Sequence, residues 1–141
     1  MYVLIAIGLG ITGYLSYSSL FGNNVCSTEG CSTVLASAYS ELLGIPVAFL
    51  GFLTYAVILY YHAIRDEKII PWLLLLGIFA VGYFNWGMYK IDAFCVWCES
   101  SHLTLTLLYF TSGGITRKSV GYFFLALLLG IIASETFLLV T

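Results

Sequence analysis

Charged side chains divide this sequence into long, nearly uncharged runs, and the length of those runs dictates what the chain can fold into. Residues 2–21, 45–64 and 69–89 carry no Asp, Glu, Lys or Arg, while 93–114 and 119–140 carry one each, Glu99 and Glu135. A hydrocarbon layer of ~30 Å is crossed by about 20 residues of helix. Each run is therefore long enough to span. Only 9% of the residues are charged and 61% are hydrophobic, against roughly 25% charged in a soluble domain. A soluble globule could not be coated with so few charges. Spans isolated in lipid must satisfy their backbone hydrogen bonds internally, so they are helices. The expected fold is all-α, an integral membrane helical bundle in one domain, 1–141. Five basic residues and a net charge of −2 leave no cluster to neutralise phosphates, which excludes nucleic acid as a partner.

The links between spans set the orientation. With the N-terminus inside, the inner links 65–68 and 117–118 hold Arg65, Lys68, Arg117 and Lys118, leaving only Lys90 outside; basic residues favour the cytoplasmic side. The same orientation puts 22–44 and 90–94 at the outer face. The first run has no basic leader and no clear small-residue cleavage site, so it reads as a retained span rather than a signal peptide. In the outer segment, Gly22-Asn23-Asn24 signals a turn. Ser32 or Thr33 would cap a short amphipathic helix of about 11 residues bearing Val34, Leu35, Ala38 and Leu42 on one face. Gly44 and Pro46 would stop it and restart the chain.

The four cysteines all fall at that outer face, as Cys26 with Cys31 and as the C-x-x-C of Cys95 and Cys98. Such spacing suits a redox dithiol and also suits metal. Asp92 is the expected N-cap of the fourth span, which puts Cys95 in its first turn, where the helix dipole favours a thiolate. Cys98 would lie about 4.5 Å deeper, giving one exposed thiol and one buried. The loop pair could then meet a soluble protein thiol and the deeper pair a lipid-soluble oxidant, with electrons passing by thiol–disulfide exchange. Zinc or an iron–sulfur cluster would fit the ligand count, and two structural disulfides would fit an oxidising compartment. Phe94 and Trp97 beside the C-x-x-C suit a hydrophobic ligand better than a closed ion site, so no metal is expected. Three pairings of the cysteines are open at this point.

Three pieces together, the loop pair, the run Cys31-Ser32-Thr33-Val34-Leu35-Ala36-Ser37 and Phe94-Cys95-Val96-Trp97-Cys98 at the head of the fourth span, resemble the vitamin K epoxide reductase family. The likeness runs from Cys26 to about His102. It implies a four-helix catalytic core plus a fifth membrane helix, and a prokaryotic-type member without a fused thioredoxin-like domain, served by a separate thioredoxin-fold partner. It further implies that Cys26 exchanges with the partner, Cys31 relays to Cys95, and Cys98 reduces a quinone of ubiquinone, menaquinone or phylloquinone type. Ser37 and Tyr39 match a serine and an aromatic near the family's quinone pocket. His102 stands where vertebrate members carry a tyrosine that bonds a quinone carbonyl, and imidazole can donate the same bond. Val47 departs from those members, which have an asparagine there for the other carbonyl.

An ionisable residue inside a span points to function, and His102 shares a helix face with Cys98 by the i, i+4 rule. Glu99 is a candidate proton carrier, although an acid in a first turn is also favoured by the dipole alone. His62 reads as an interfacial side chain reaching toward headgroups. Trp72 and Trp86 read as belt anchors, and Asn85 as either a neighbour of that belt or a pocket residue. The function expected is a quinone-dependent thiol–disulfide oxidoreductase supporting disulfide formation outside the cytoplasm, or at the luminal side of an endoplasmic reticulum membrane. The same relay reducing vitamin K quinone or its epoxide is the enzymatic alternative. A non-catalytic scaffold with structural or metal-bound cysteines is the alternative of another class.

Overall fold

The computed structural model describes residues 1–22, 26, 28–113 and 116–140, with backbone alone at 138 and 140. Asn23 and Asn24 of the expected turn lie outside the described residues. Five long helices, α1 (Tyr2–Phe21), α3 (Val47–Ala63), α4 (Ile70–Lys90), α5 (Val96–Gly113) and α6 (Arg117–Val140), form a membrane bundle, with the short α2 (Glu29–Leu35) between the first two. By length and apolarity, α1, α4 and the Arg117–Phe137 part of α6 suffice to cross a membrane, and α3 is apolar but shorter. Large apolar side chains face outward, among them Val3 at 71%, Trp72 at 73% and Phe124 at 63% exposed. In water such a surface would aggregate, whereas lipid tails cover it.

The helices alternate in direction. Tyr2 at the start of α1 meets His62 at the end of α3, with ring centroids 4.5 Å apart, and the Tyr109 hydroxyl of α5 donates to the Ser119 carbonyl of α6 at 2.8 Å. The basic links therefore gather at one pole. Both cysteine pairs and Lys90 lie at the other. One buried cluster fills the basic half, with Ile5, Tyr55, Ile58, Leu74, Ile78 and Leu108 at its centre. A second, smaller one holds the cysteines.

Several boundaries differ from the sequence reading. Asp92 does not cap α5. Its φ of +51°, with Asp92 N–H to the Tyr89 carbonyl at 3.3 Å and Ala93 N–H to the Met88 carbonyl at 3.2 Å, makes it the left-handed residue that closes α4 in a Schellman motif. Arg65 at φ +58° closes α3 in the same way, its N–H bonding to the His62 carbonyl and that of Asp66 to the Tyr61 carbonyl. Nor do Ser32 and Thr33 cap a lid helix. Thr28 is the N-cap of α2, and both hydroxyls bond back to the Glu29 carbonyl at 2.8 and 2.9 Å. The lid is shorter than expected because a 3₁₀ turn, Ala38–Ser40, follows it, and then a hairpin pairs β1 (Glu41–Leu42) with β2 (Ile45–Pro46). Leu43 and Gly44 both have positive φ, +55° and +79°, as a two-residue hairpin turn requires. Ala38 and Leu42 are consequently exposed.

The fifth helix docks through glycine. A Cβ at Gly82 would overlap the Leu127 carbonyl, and one at Gly130 the Phe79 carbonyl, so α4 and α6 approach backbone to backbone. Small residues permit such contact where no hydrophobic force drives helices together. At the cysteine-bearing end, Glu135 accepts from the Trp86 indole and pairs with Lys90 at 2.9 Å. Trp86 is thus a helix tie, unlike the exposed Trp72. Gly130→Leu is expected to destabilise the bundle by about 1–3 kcal/mol through overpacking, read as a lowered unfolding midpoint in detergent. Gly121→Leu, where nothing lies within 4 Å, should leave the midpoint unchanged.

Candidate functional site

The site is assembled by α2 and the head of α5. Cys26 and Cys31 are bridged with Cα atoms 5.6 Å apart, and Cys95 and Cys98 are bridged at 5.3 Å. Cys31 and Cys95 are both fully buried and share one cluster with Leu15, Val34 and Met88, while Cys26 and Cys98 are partly buried at its edge. Gly30 explains how the pairs come together. A Cβ there would collide with the Phe94 carbonyl, so α2 rests its backbone directly on the turn that carries Cys95.

Cys95 is not in the first turn of α5 but just before it. Its carbonyl accepts from Glu99 N–H at 3.0 Å, and its Sγ accepts from Cys98 N–H at 3.3 Å. The sulfur takes the place of a capping oxygen, satisfying an N–H that a helix start leaves free. In the reduced state that N–H and the helix dipole stabilise a Cys95 thiolate. The expected order of burial is reversed, with Cys95 enclosed and Cys98 the more accessible sulfur. The reason is the late start of α5, which tucks Cys95 under α2.

Cys98 opens into a cavity of about 90 Å³ between α1, α2, α3, α4 and α5. Its walls are mostly apolar, including Leu15, Val34, Phe84 and Met88, with Ser101 and His102 supplied by α5. Tyr55 steadies this helix, donating to the Ser101 carbonyl at 2.8 Å. His102 is held by its Nδ1, which lies 3.0 Å from Asn85 Oδ1 and 3.6 Å from Glu99 Oε1. Its ring stacks on Phe84. The sequence leaves Asn85 between the belt and the pocket, and the structure sets it on the His102 ring.

Ser37 and Tyr39 are not brought to the cavity wall. The Ser37 hydroxyl bonds the Val34 carbonyl at 2.7 Å, and Tyr39 is buried against Tyr83, Phe137 and Gly87. The 3₁₀ turn between α2 and the hairpin presents Ser40 to the cavity instead. Val47 does line it, as do Ala48 and Gly51 from α3, so that side offers no polar side chain. His62 stays at the opposite pole, 3.2 Å from Glu67.

Residues 1–112, which include the whole cysteine cluster and the cavity, match the profile of the Vitamin K epoxide reductase family. The chain belongs to the vitamin K epoxide reductase family. No curated protein matches it. Family membership, the two bridged pairs and the apolar helices together make this vitamin K epoxide reductase family member a membrane oxidoreductase. The match ends inside α5, so α6 and its glycine contacts with α4 lie beyond it.

Proposed function

We propose that this protein is a quinone-linked thiol oxidase that regenerates disulfides in a separate thioredoxin-fold partner on the extracytoplasmic face of a cell membrane. The observation that carries the reading is the shared buried cluster of the two cysteine pairs, with Cys98 opening into an apolar cavity beside His102. Partly exposed Cys26 is the sulfur a soluble partner's thiolate can attack, which releases Cys31. Cys31, packed under the Cys95 turn, attacks Cys95 and frees Cys98; the partner's second thiol resolves its mixed disulfide with Cys26, and the freed Cys26 recloses on Cys31, releasing Cys95. The net result is an oxidised partner and a Cys95/Cys98 dithiol. A quinone is the electron-accepting second substrate, taking two electrons and two protons. Apolar walls and a hydrogen-bonding imidazole fit such a ring, and lipid around the bundle supplies it.

The topology proposed has five spans, 2–21, 45–64, 69–89, 93–114 and 119–140, with the N-terminus in the cytoplasm. Purified protein with a reduced thioredoxin-fold substrate and a short-chain quinone should reduce the quinone, followed by its absorbance. His102→Ala is expected to slow quinone reduction about 100-fold, in the range of a lost acid–base group, while thiol exchange between partner and Cys26/Cys31 proceeds at the unaltered rate. Unchanged quinone kinetics in His102→Ala would remove His102 from the site. A wild-type protein that exchanges no thiols with any such partner would instead favour the structural reading of the cysteines.

A further inference from the structure

The Nδ1 of His102 faces two oxygens, Asn85 Oδ1 at 3.0 Å and Glu99 Oε1 at 3.6 Å. A bare Nδ1 lone pair would point at a carboxylate, which is repulsive, whereas an Nδ1–H is attracted by both oxygens. In a neutral imidazole the proton on one nitrogen leaves the other as an acceptor, and the partner of the first decides which. Asn85 comes from α4 and Glu99 from the preceding turn of α5, so the ring is gripped from two helices. Phe84 stacking on its face further limits rotation. Glu99 does not line the cavity and Nδ1 is occupied, which leaves Nε2 for the side His102 shares with Cys98.

Building on the quinone reading above, we propose that Asn85 is a positioning residue that holds the proton of His102 on Nδ1, so that Nε2 shuttles a proton from the Cys98 thiol to the quinone. In the reduced protein Nε2 accepts the Cys98 proton, forming a thiolate and an imidazolium whose charge is balanced by Glu99. The dithiol then surrenders two electrons as the Cys95–Cys98 bond forms. His102 returns its proton to one carbonyl oxygen of the acceptor, and the proton given up when the Cys95 thiolate formed reaches the other through solvent. Two electrons and two protons leave the dithiol and appear on the hydroquinone. Glu99 is thereby a charge partner rather than the proton carrier itself.

The assignment is tested by a tautomer measurement that needs no turnover. The chain has two histidines, so ¹⁵N-histidine labelling with His62→Gln for assignment isolates the His102 nitrogens. Wild type should show a protonated Nδ1 and a bare Nε2, Asn85→Ala a mixture of tautomers, and Asn85→Asp the wild-type pattern. In the quinone assay with short-chain ubiquinone, Asn85→Ala should lower kcat about 10- to 100-fold with KM little changed, as loss of an orienting partner does, and Asn85→Asp should recover most of it. A wild-type Nε2–H tautomer, or an Asn85→Ala protein with unaltered tautomer and kcat, overturns the assignment. Absence of any quinone turnover in wild type with Nδ1 protonated would overturn the quinone reading and the shuttle with it, while the tautomer held by Asn85 would stand.

Discussion

Cys98→Ala is expected to abolish steady-state quinone reduction, by at least about 1000-fold, because no other cysteine lines the cavity among the described residues. The variant should also change which disulfide is present. Without Cys98, Cys95 is a free thiol buried in the same cluster as Cys31, and the N–H of residue 98 still stabilises its thiolate. That thiolate can attack Cys31 of the Cys26–Cys31 bond, freeing Cys26 and leaving a Cys31–Cys95 bridge. Non-reducing peptide mass spectrometry should find that mixed bridge in Cys98→Ala. In Cys95→Ala it should be absent, with Cys26–Cys31 retained. Steady quinone turnover in Cys98→Ala would sink the relay, and a Cys26–Cys95 bridge would exchange the roles of Cys26 and Cys31.

Gly30→Val should have the second-largest effect. Its side chain has no room, since the atoms it meets are the backbone of Phe94 and cannot turn aside like a flexible side chain. α2 must lift from the Cys95 turn. An error of ~1 Å between reacting groups costs on the order of 100-fold, so electron transfer from Cys31 to Cys95 should fall by about that factor in rapid-mixing experiments. Exchange of the partner with Cys26, which lies ahead of α2, should keep its rate. An unaltered transfer rate would mean that α2 approaches Cys95 by a route other than the Gly30 contact.

Both predictions depend on contacts that residue patterns foreshadow unevenly. The closeness of Cys95 to Cys98 was legible because only two residues separate them at a helix start. Cys26–Cys31 was legible as a near pair. That the pairs share a cluster was not, since sixty-three residues lie between Cys31 and Cys95 and only the packing of α2 on α5 joins them. A signal did exist in Gly30, but a lone glycine before a cysteine has many readings. Asn85 shows the same limit. Beside Trp86 it could belong to the belt or to the pocket, and only the turn of α4 decides, sending Trp86 toward Glu135 and Asn85 toward His102.

The misplaced boundaries have a common cause. Asp and Ser are good helix caps in general, but whether a given residue starts one helix or ends the one before depends on its backbone angles. Asp92 adopts the left-handed conformation because α4 runs on to Lys90 and must turn sharply back. Ser32 lies inside α2 because Thr28 already begins it. The apolar alternation of 34–42 could not distinguish one continuous helix from a helix, a 3₁₀ turn and a hairpin, since each buries Val34 and leaves polar groups outside.

Residue order alone dictates a membrane-embedded helical chain with two cysteine pairs, because charge is scarce along lengths that match a bilayer and backbone groups in lipid must bond within their own helix. Tertiary packing decides which sulfur is enclosed, which one meets the cavity and which nitrogen of His102 is held. Those outcomes depend on angstrom-scale contacts between helices distant in sequence, Gly30 on Phe94 and Asn85 on His102, and no local periodicity encodes a contact of that kind.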